Sequence, residues 1–101
     1  MKKLIAIYRT PSDTDAFLIH YREKHLPLAS RIPGLIRTEV TRIERTIMGE
    51  AGNFLLAEMY FADADSFRTA MKSPENIATG ADLANFAEGL VMIMTGEVME
   101  D

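Results

Sequence analysis

The feature that most restricts how this chain can fold is an internal echo between positions fifty residues apart. Leu4 to Tyr8, followed by Asp13-Thr-Asp-Ala-Phe17, is matched by Phe54 to Glu58, followed by Asp63-Ala-Asp-Ser-Phe67. Each half reads as an apolar strand, a short turn and a capped helix. Asp13 and Asp63 stand where a side-chain oxygen accepts from the first unpaired amides of a helix, and Asp15 and Asp65 favour the positive end of its dipole. Phe17 and Phe67 then anchor equivalent first turns. A chain of 101 residues with 48% apolar content has room for one core, so residues 1–101 are expected to form a single domain.

The segments between the echoes complete the order. Arg31-Ile-Pro-Gly34 is a turn signal, and Leu35 to Arg45 alternates weakly with many charges, as an edge strand does. Gly49 to Asn53 turns the chain back into the apolar strand Phe54 to Phe61. A short helix from about Asp65 to Lys72 precedes a second start at Ser73-Pro-Glu-Asn, where serine caps and proline takes the first helical position. Helix residues continue to about Ala87. Gly89 opens a last strand, Leu90 to Thr95, with Gly96 to Asp101 as its tail. The order is β-α-β-β-α-β, an α+β chain of ferredoxin-like pattern with one antiparallel sheet and both helical segments on one face.

That arrangement has a consequence for assembly. The strands Leu4-Ile-Ala-Ile7, Phe54-Leu-Leu-Ala57 and Leu90-Val-Met-Ile-Met94 are apolar at nearly every position, so the face without helices would leave an apolar area of several hundred Å² in water. A homodimer joined through its sheet faces is the economical solution. Other partners are disfavoured. The formal charge is −4 with cations scattered, which leaves no basic stripe for nucleic acid. No apolar run approaches the roughly 20 residues that cross a bilayer. The opening Met-Lys-Lys-Leu-Ile-Ala-Ile-Tyr-Arg9 reads as a first strand, not an export signal, and there is no cysteine, so a cytoplasmic protein without disulfides is expected.

The candidate site centres on His25. From Asp15 to Leu28 the chain reads as one amphipathic helix, and Phe17, Leu18, Tyr21, His25 and Leu28 share an inward stripe of about 100°. Pro27 has no amide hydrogen for the carbonyl of Glu23, so the last turn is expected to kink or end and to open a gap beside His25. An imidazole titrating near pH 6.5 and facing a gap can take and return a proton. A core histidine bonded through its ring nitrogens is the other reading of the same pattern. Tyr21, one turn earlier, can touch His25 and either steady an oxyanion or orient the ring, or simply fill the core. Asp82 and Asn85 are polar members of an otherwise apolar helix, spaced to share a side, and one of them can orient His25 or bind a substrate hydroxyl; Asp82 can equally be solvated.

Other residues carry less chemistry. Glu58 interrupts an apolar strand and is expected to pair with Arg42 or Arg37; Tyr8 occupies the echoing position, so both are candidates to border one cavity. His20 and His25, five apart, lie about 140° apart on a regular helix, which argues against a zinc pair. No metal site is expected. No glycine-rich phosphate loop and no serine elbow is present. Met92, Met94 and Met99 could line a hydrophobic ligand or fill gaps.

Several local runs, taken together, resemble the EthD family: Tyr-Arg-x-Pro in the first strand, His25-Leu-Pro-Leu28, Ile-Pro-Gly-Leu35, Ala-Glu-Met-Tyr-Phe61, and Ser-Pro-Glu75 leading to Ala-Asp-Leu-Ala-Asn-Phe86. The resemblance spans nearly the whole chain. It implies a dimeric α+β barrel, two ferredoxin-like units joined by their sheets, and it places a family histidine at His25. Relatives in the wider superfamily include lactone isomerases, polyketide cyclases and cofactor-free monooxygenases. The leading expectation is therefore an enzyme without a cofactor, in which His25, Tyr21 and Asp82 act on a small aromatic, lactone or polyketide-like compound. A non-catalytic dimer that binds a small hydrophobic metabolite is the rival, and a haem protein with His25 as axial ligand is a third possibility.

Overall fold

The computed structural model describes residues 1–99, so Glu100 and Asp101 of the expected tail lie outside the described residues. The elements follow as β1 (Lys2–Arg9), α1 (Thr14–His20), a π-turn (Tyr21–His25), α2 (Leu26–Ala29), β2 (Leu35–Arg42), β3 (Asn53–Phe61), α3 (Ala64–Met71), α4 (Pro74–Phe86) and β4 (Val91–Glu97). All strand pairs are antiparallel, in the order β2-β3-β1-β4, so the two echoing strands are the central pair and the charged β2 lies at an edge. This is the ferredoxin-like α+β sheet. No helix among the described residues is long and apolar enough to cross a membrane.

The caps act locally as their residue types require. Asp13 accepts from the amide of Ala16 at 3.0 Å and Asp63 from that of Ser66 at 2.8 Å. Ser73 accepts from Asn76 at 3.1 Å, and Pro74, which has no amide to leave unpaired, takes the first turn of α4. Gly34, at φ +81°, makes the left-handed corner that delivers the chain into β2.

Side chains alternate across the central strands. Leu4, Ala6 and Tyr8 of β1 and Leu55, Ala57, Met59 and Phe61 of β3 are buried under the helices. One core cluster gathers Tyr8, Phe17, Tyr21 and Phe54, and a second gathers Leu4, Ile32, Met59 and Phe61. Phe17 meets Tyr8 edge-on at 5.4 Å and Phe54 at 5.7 Å between ring centres. Burying a side chain of this size contributes about 2–3 kcal/mol before the edge-to-face contacts are added.

Three expectations are corrected. The helix neither stops nor breaks at Pro27: the amide of Leu26 reaches back five residues to the carbonyl of Tyr21, and α2 continues to Ala29. The widened turn accommodates a proline whose ring cannot sit over the carbonyl four residues earlier. Glu58 pairs with neither Arg37 nor Arg42. Its carboxylate is 2.6 Å from the ammonium of Lys3, while Arg37 bonds Glu39 and lies over the ring of Tyr60. Tyr8 and Glu58 do not share a cavity. Tyr8 is opposite Leu55 on the helix-covered face, whereas Glu58 is opposite Ile5 on the other face. The echo keeps its caps but slips by one residue in its strands, because Phe54 sits in a register shift between Tyr8 and Arg9.

Candidate functional site

Asp82 joins the two helical segments. It lies on the inner side of α4, 7% exposed, and its carboxylate faces Nδ1 of His25 at 3.0 Å, Nε2 of His20 at 3.0 Å and Nδ2 of Asn85 at 3.0 Å. An ionised carboxylate only accepts, so both imidazole nitrogens that face it carry hydrogen. For His25 this fixes the tautomer with hydrogen on Nδ1 and leaves Nε2 with its lone pair. No enclosed side-chain nitrogen or oxygen among the described residues lacks a partner, so the remaining nitrogen of His25 opens onto space and not onto packed carbon.

The inward histidines are two, not one. On a regular helix the five-residue spacing would hold His20 away from His25, but the i→i+5 geometry of the π-turn brings both onto the face that meets α4. His20 is partly exposed, with 20% of its side-chain surface open, and stacks on Phe86 at 4.7 Å. A histidine five residues before another, with proline two residues further on, is the signal in the sequence that would have found it. Its Nε2 meets both oxygens of the carboxylate, each at 3.0 Å.

His25 is held from two sides. Tyr21 stacks on it at 5.6 Å between ring centres, and Phe86 approaches at 4.9 Å. Burial lowers the pKa of His25 below 6.5; the bond and charge of Asp82 oppose this without overcoming it, and His20 adds to the lowering. The imidazole is therefore neutral at neutral pH. Burial raises the Asp82 carboxyl, but the hydrogen bonds from Asn85, His20 and His25 outweigh it and leave its pKa below 3.8. Burial pushes the Tyr21 phenol up to about 12 and raises the Tyr8 phenol further. Both tyrosines are neutral.

A cavity of about 180 Å³ lies beside His25. The sheet supplies Leu4, Ala6, Tyr8 and Met59 to its wall, and α4 supplies Thr79 and Leu83. The gap expected beside the histidine is present, between sheet and helix layer. Tyr21 does not line it. Asp82 stands behind the imidazole and not in the cavity wall, and Asn85 is bonded to Asp82. A larger groove of about 510 Å³ lies outside, between α3 and the ends of β1 and β4, and Met71 belongs to the walls of both. The outer groove has Lys2 paired with Glu97 and Arg68 paired with Asp65, and no histidine in its wall. Of these two, the smaller cavity is the one with an imidazole in its wall.

The comparisons with known proteins agree with this architecture. The EthD domain profile matches residues 9–89. A solved EthD (ethyl tert-butyl ether D) family protein from Bacillus halodurans C-125 is 45% identical, with a TM-score of 0.91 over 98% of this chain and 99% of the other. An uncharacterised 11.0 kDa protein from the thcB-thcC intergenic region of Rhodococcus erythropolis is 34% identical over 96% of this chain and 95% of its own length. At 14% identity, a cofactor-independent oxygenase from Streptomyces nogalater shares the fold, with a TM-score of 0.69 over 99% of this chain and 94% of that one. With the profile spanning both echoing helices and the whole of the His25–Asp82 seam, the chain belongs to the EthD family.

Proposed function

We propose that the protein is a small-molecule enzyme in which Nε2 of His25 moves a proton to and from a substrate held in the cavity between sheet and α4. The observation that carries this reading is a buried, neutral imidazole that lines a cavity while its other nitrogen is fixed on a carboxylate. Neutrality supplies the base. When the ring takes a proton, the adjacent Asp82 carboxylate stabilises the imidazolium, and the proton returns to a second position on the substrate. Isomerisation and cyclisation need no more than this; oxygenation adds molecular oxygen as a co-reactant, and the shared fold of the Streptomyces oxygenase supports keeping it in the range.

The supporting residues have distinct parts in this reading. Asp82 and Asn85 hold the tautomer, His20 holds the carboxylate from its outer side, and Tyr21 fixes the plane of the ring by stacking. Small aromatic, lactone and polyketide-like compounds are the substrate range. A nitrogen-detected NMR titration tests the proposal. Nδ1 of His25 should carry hydrogen at pH 7, and Nε2 should shift when one ligand class from an aromatic and lactone panel is added. His25→Asn, whose amide can still donate to Asp82, should keep its melting temperature and lose turnover of that ligand. A His25 that no ligand moves, together with an active His25→Asn variant, would sink the reading.

The working unit we infer is a homodimer. The uncovered face carries Ile5, Ile7, Leu56, Met92 and Met94 along β1, β3 and β4, with Met92 62% exposed, while its β2 side carries the Lys3–Glu58 and Arg37–Glu39 pairs. The apolar strip is too continuous for a monomer, and a second copy turned by a two-fold axis meets it with the same strip. Sedimentation at micromolar concentration should give twice the chain mass. Charge introduced by Met92→Lys and Ile7→Lys should give single chains; a wild-type monomer would end the inference.

A further inference from the structure

The cavity beside His25 is small, closed on its charges and supplied with one free donor. We propose that it takes a neutral single-ring compound carrying one hydroxyl or carbonyl oxygen, gripped by the hydroxyl of Tyr8, and that it excludes fused rings and anions. This rests on reading the cavity as the substrate site of His25.

Size gives the first limit. The volume of about 180 Å³ is close to the roughly 150 Å³ of an apolar cavity that admits benzene. One ring with a short substituent fills it. A second fused ring would have to displace Leu83 of α4 or Met59 of the central strand, or stay at the mouth beside exposed Ile93, away from Tyr8 and His25.

Charge gives the second. No lysine or arginine lines the cavity, and the Asp82 carboxylate stands behind His25. A ligand carboxylate or phosphate would be stripped of water with no cation to meet it and an anion nearby. Neutral ligands remain.

The hydrogen-bond inventory names the contact. Thr79 gives its hydrogen to the carbonyl of Glu75 at 2.8 Å, and the Asn76 amide is directed at the carbonyl and sulfur of Met71. Neither has a donor left for a ligand. Tyr8 is 1% exposed, no partner among the described residues engages its oxygen, and no enclosed oxygen is orphaned, so the phenol opens onto the cavity it lines. Burial keeps that phenol protonated. The cavity therefore offers a fixed donor from the sheet and a fixed base from the π-turn, and a substrate oxygen that bonds the first brings its neighbouring atoms to the second.

Binding of four probes to the purified wild-type protein, followed by calorimetry and by methyl shifts of Leu83 and Ile93, tests the proposal. Phenol and toluene should bind saturably; 1-naphthol and benzoate should bind at least roughly tenfold more weakly than phenol. Tyr8→Phe should lose about fivefold in phenol affinity, the scale of one neutral hydrogen bond, and leave toluene unchanged. Leu83→Ala should admit 1-naphthol. Equal affinity for phenol and 1-naphthol, tight benzoate binding, no saturable phenol binding, or a Tyr8→Phe variant with an unaltered phenol-to-toluene ratio would each overturn it. The proton-transfer reading fails separately: there, phenol moves the cavity methyls while the nitrogens of His25 stay still.

Discussion

The two halves of the chain begin alike and handle a proline in opposite ways. Each starts with an aspartate cap and a phenylalanine in the first turn, and each meets a proline some ten residues on. Pro74 follows Ser73, whose oxygen caps a new helix, so the second half stops at Met71 and restarts as α4. Pro27 follows His25-Leu26, which offers no capping side chain, so the first half widens into a π-turn and carries on. A proline thus ends a helix where a cap is ready to begin another and distorts it where none is. The distorted half presents two imidazoles and the restarted half presents the carboxylate between them, so the candidate site lies in the seam that the difference creates.

The aromatic anchors give the largest test of the comparison. Phe17 is 3% exposed in the four-ring cluster, and Phe17→Ala should cost about 3–5 kcal/mol in urea unfolding. Phe67 is half-buried against Phe61, so Phe67→Ala should cost roughly half as much. Equal losses would show that the second half holds its core as tightly as the first. Next comes the seam itself: Asp82→Ala removes the acceptor of three donors and should cost about 3 kcal/mol, the scale of breaking a buried charged pair. Adding His20→Ala to it should cost almost nothing further in a double-mutant cycle. Additive losses would mean that His20 holds α1 by its stacking on Phe86 and not through Asp82.

The shared part of the halves should respond equally. Asp13→Ala and Asp63→Ala each remove one cap bond and should each lower stability by about 1 kcal/mol. The smallest effect is on acid sensitivity. His25 has a folded pKa below its ordinary 6.5, so the unfolded chain binds the proton first; the stability His25 contributes is complete above pH 6.5 and is lost as the pH falls from there through the folded value. Asp82, also lowered, adds a second loss below about pH 3.8. In His25→Asn the decline that begins near pH 6.5 should flatten while the more acid one persists, as read from unfolding free energies at a series of pH values.

What could be read from the chain divides along local and non-local lines. The caps at Asp13, Asp63 and Ser73, the corner at Gly34 and the succession of elements along the chain depend on neighbours within a few residues, and their residue types state them. Membership of the inward stripe was legible for Phe17, Tyr21 and His25 for the same reason. The meeting of His25 with Asp82 was legible only as one option among several, since it spans 57 positions. The inward place of His20 is hidden in the sequence because a constant 100° per residue does not hold across a turn with a different pitch. That Glu58 needs a cation follows from its charge, but which cation stands across the sheet follows from register, in which Ile5 lies opposite Glu58 and Lys3 two residues along. The same register puts Tyr8 and Glu58 on opposite faces, with the tyrosine on the side of the cavity.

Met71 belongs to the wall of the inner cavity and to that of the outer groove. The partition between bulk water and the imidazole is therefore, at that point, one unbranched thioether with three rotatable bonds. Passage there asks for a change of rotamer and not for the opening of a helix pair or a loop, and side-chain rotations are among the fastest motions a protein makes. A small molecule entering by this route would wait on a side-chain rotation and not on the movement of a backbone element.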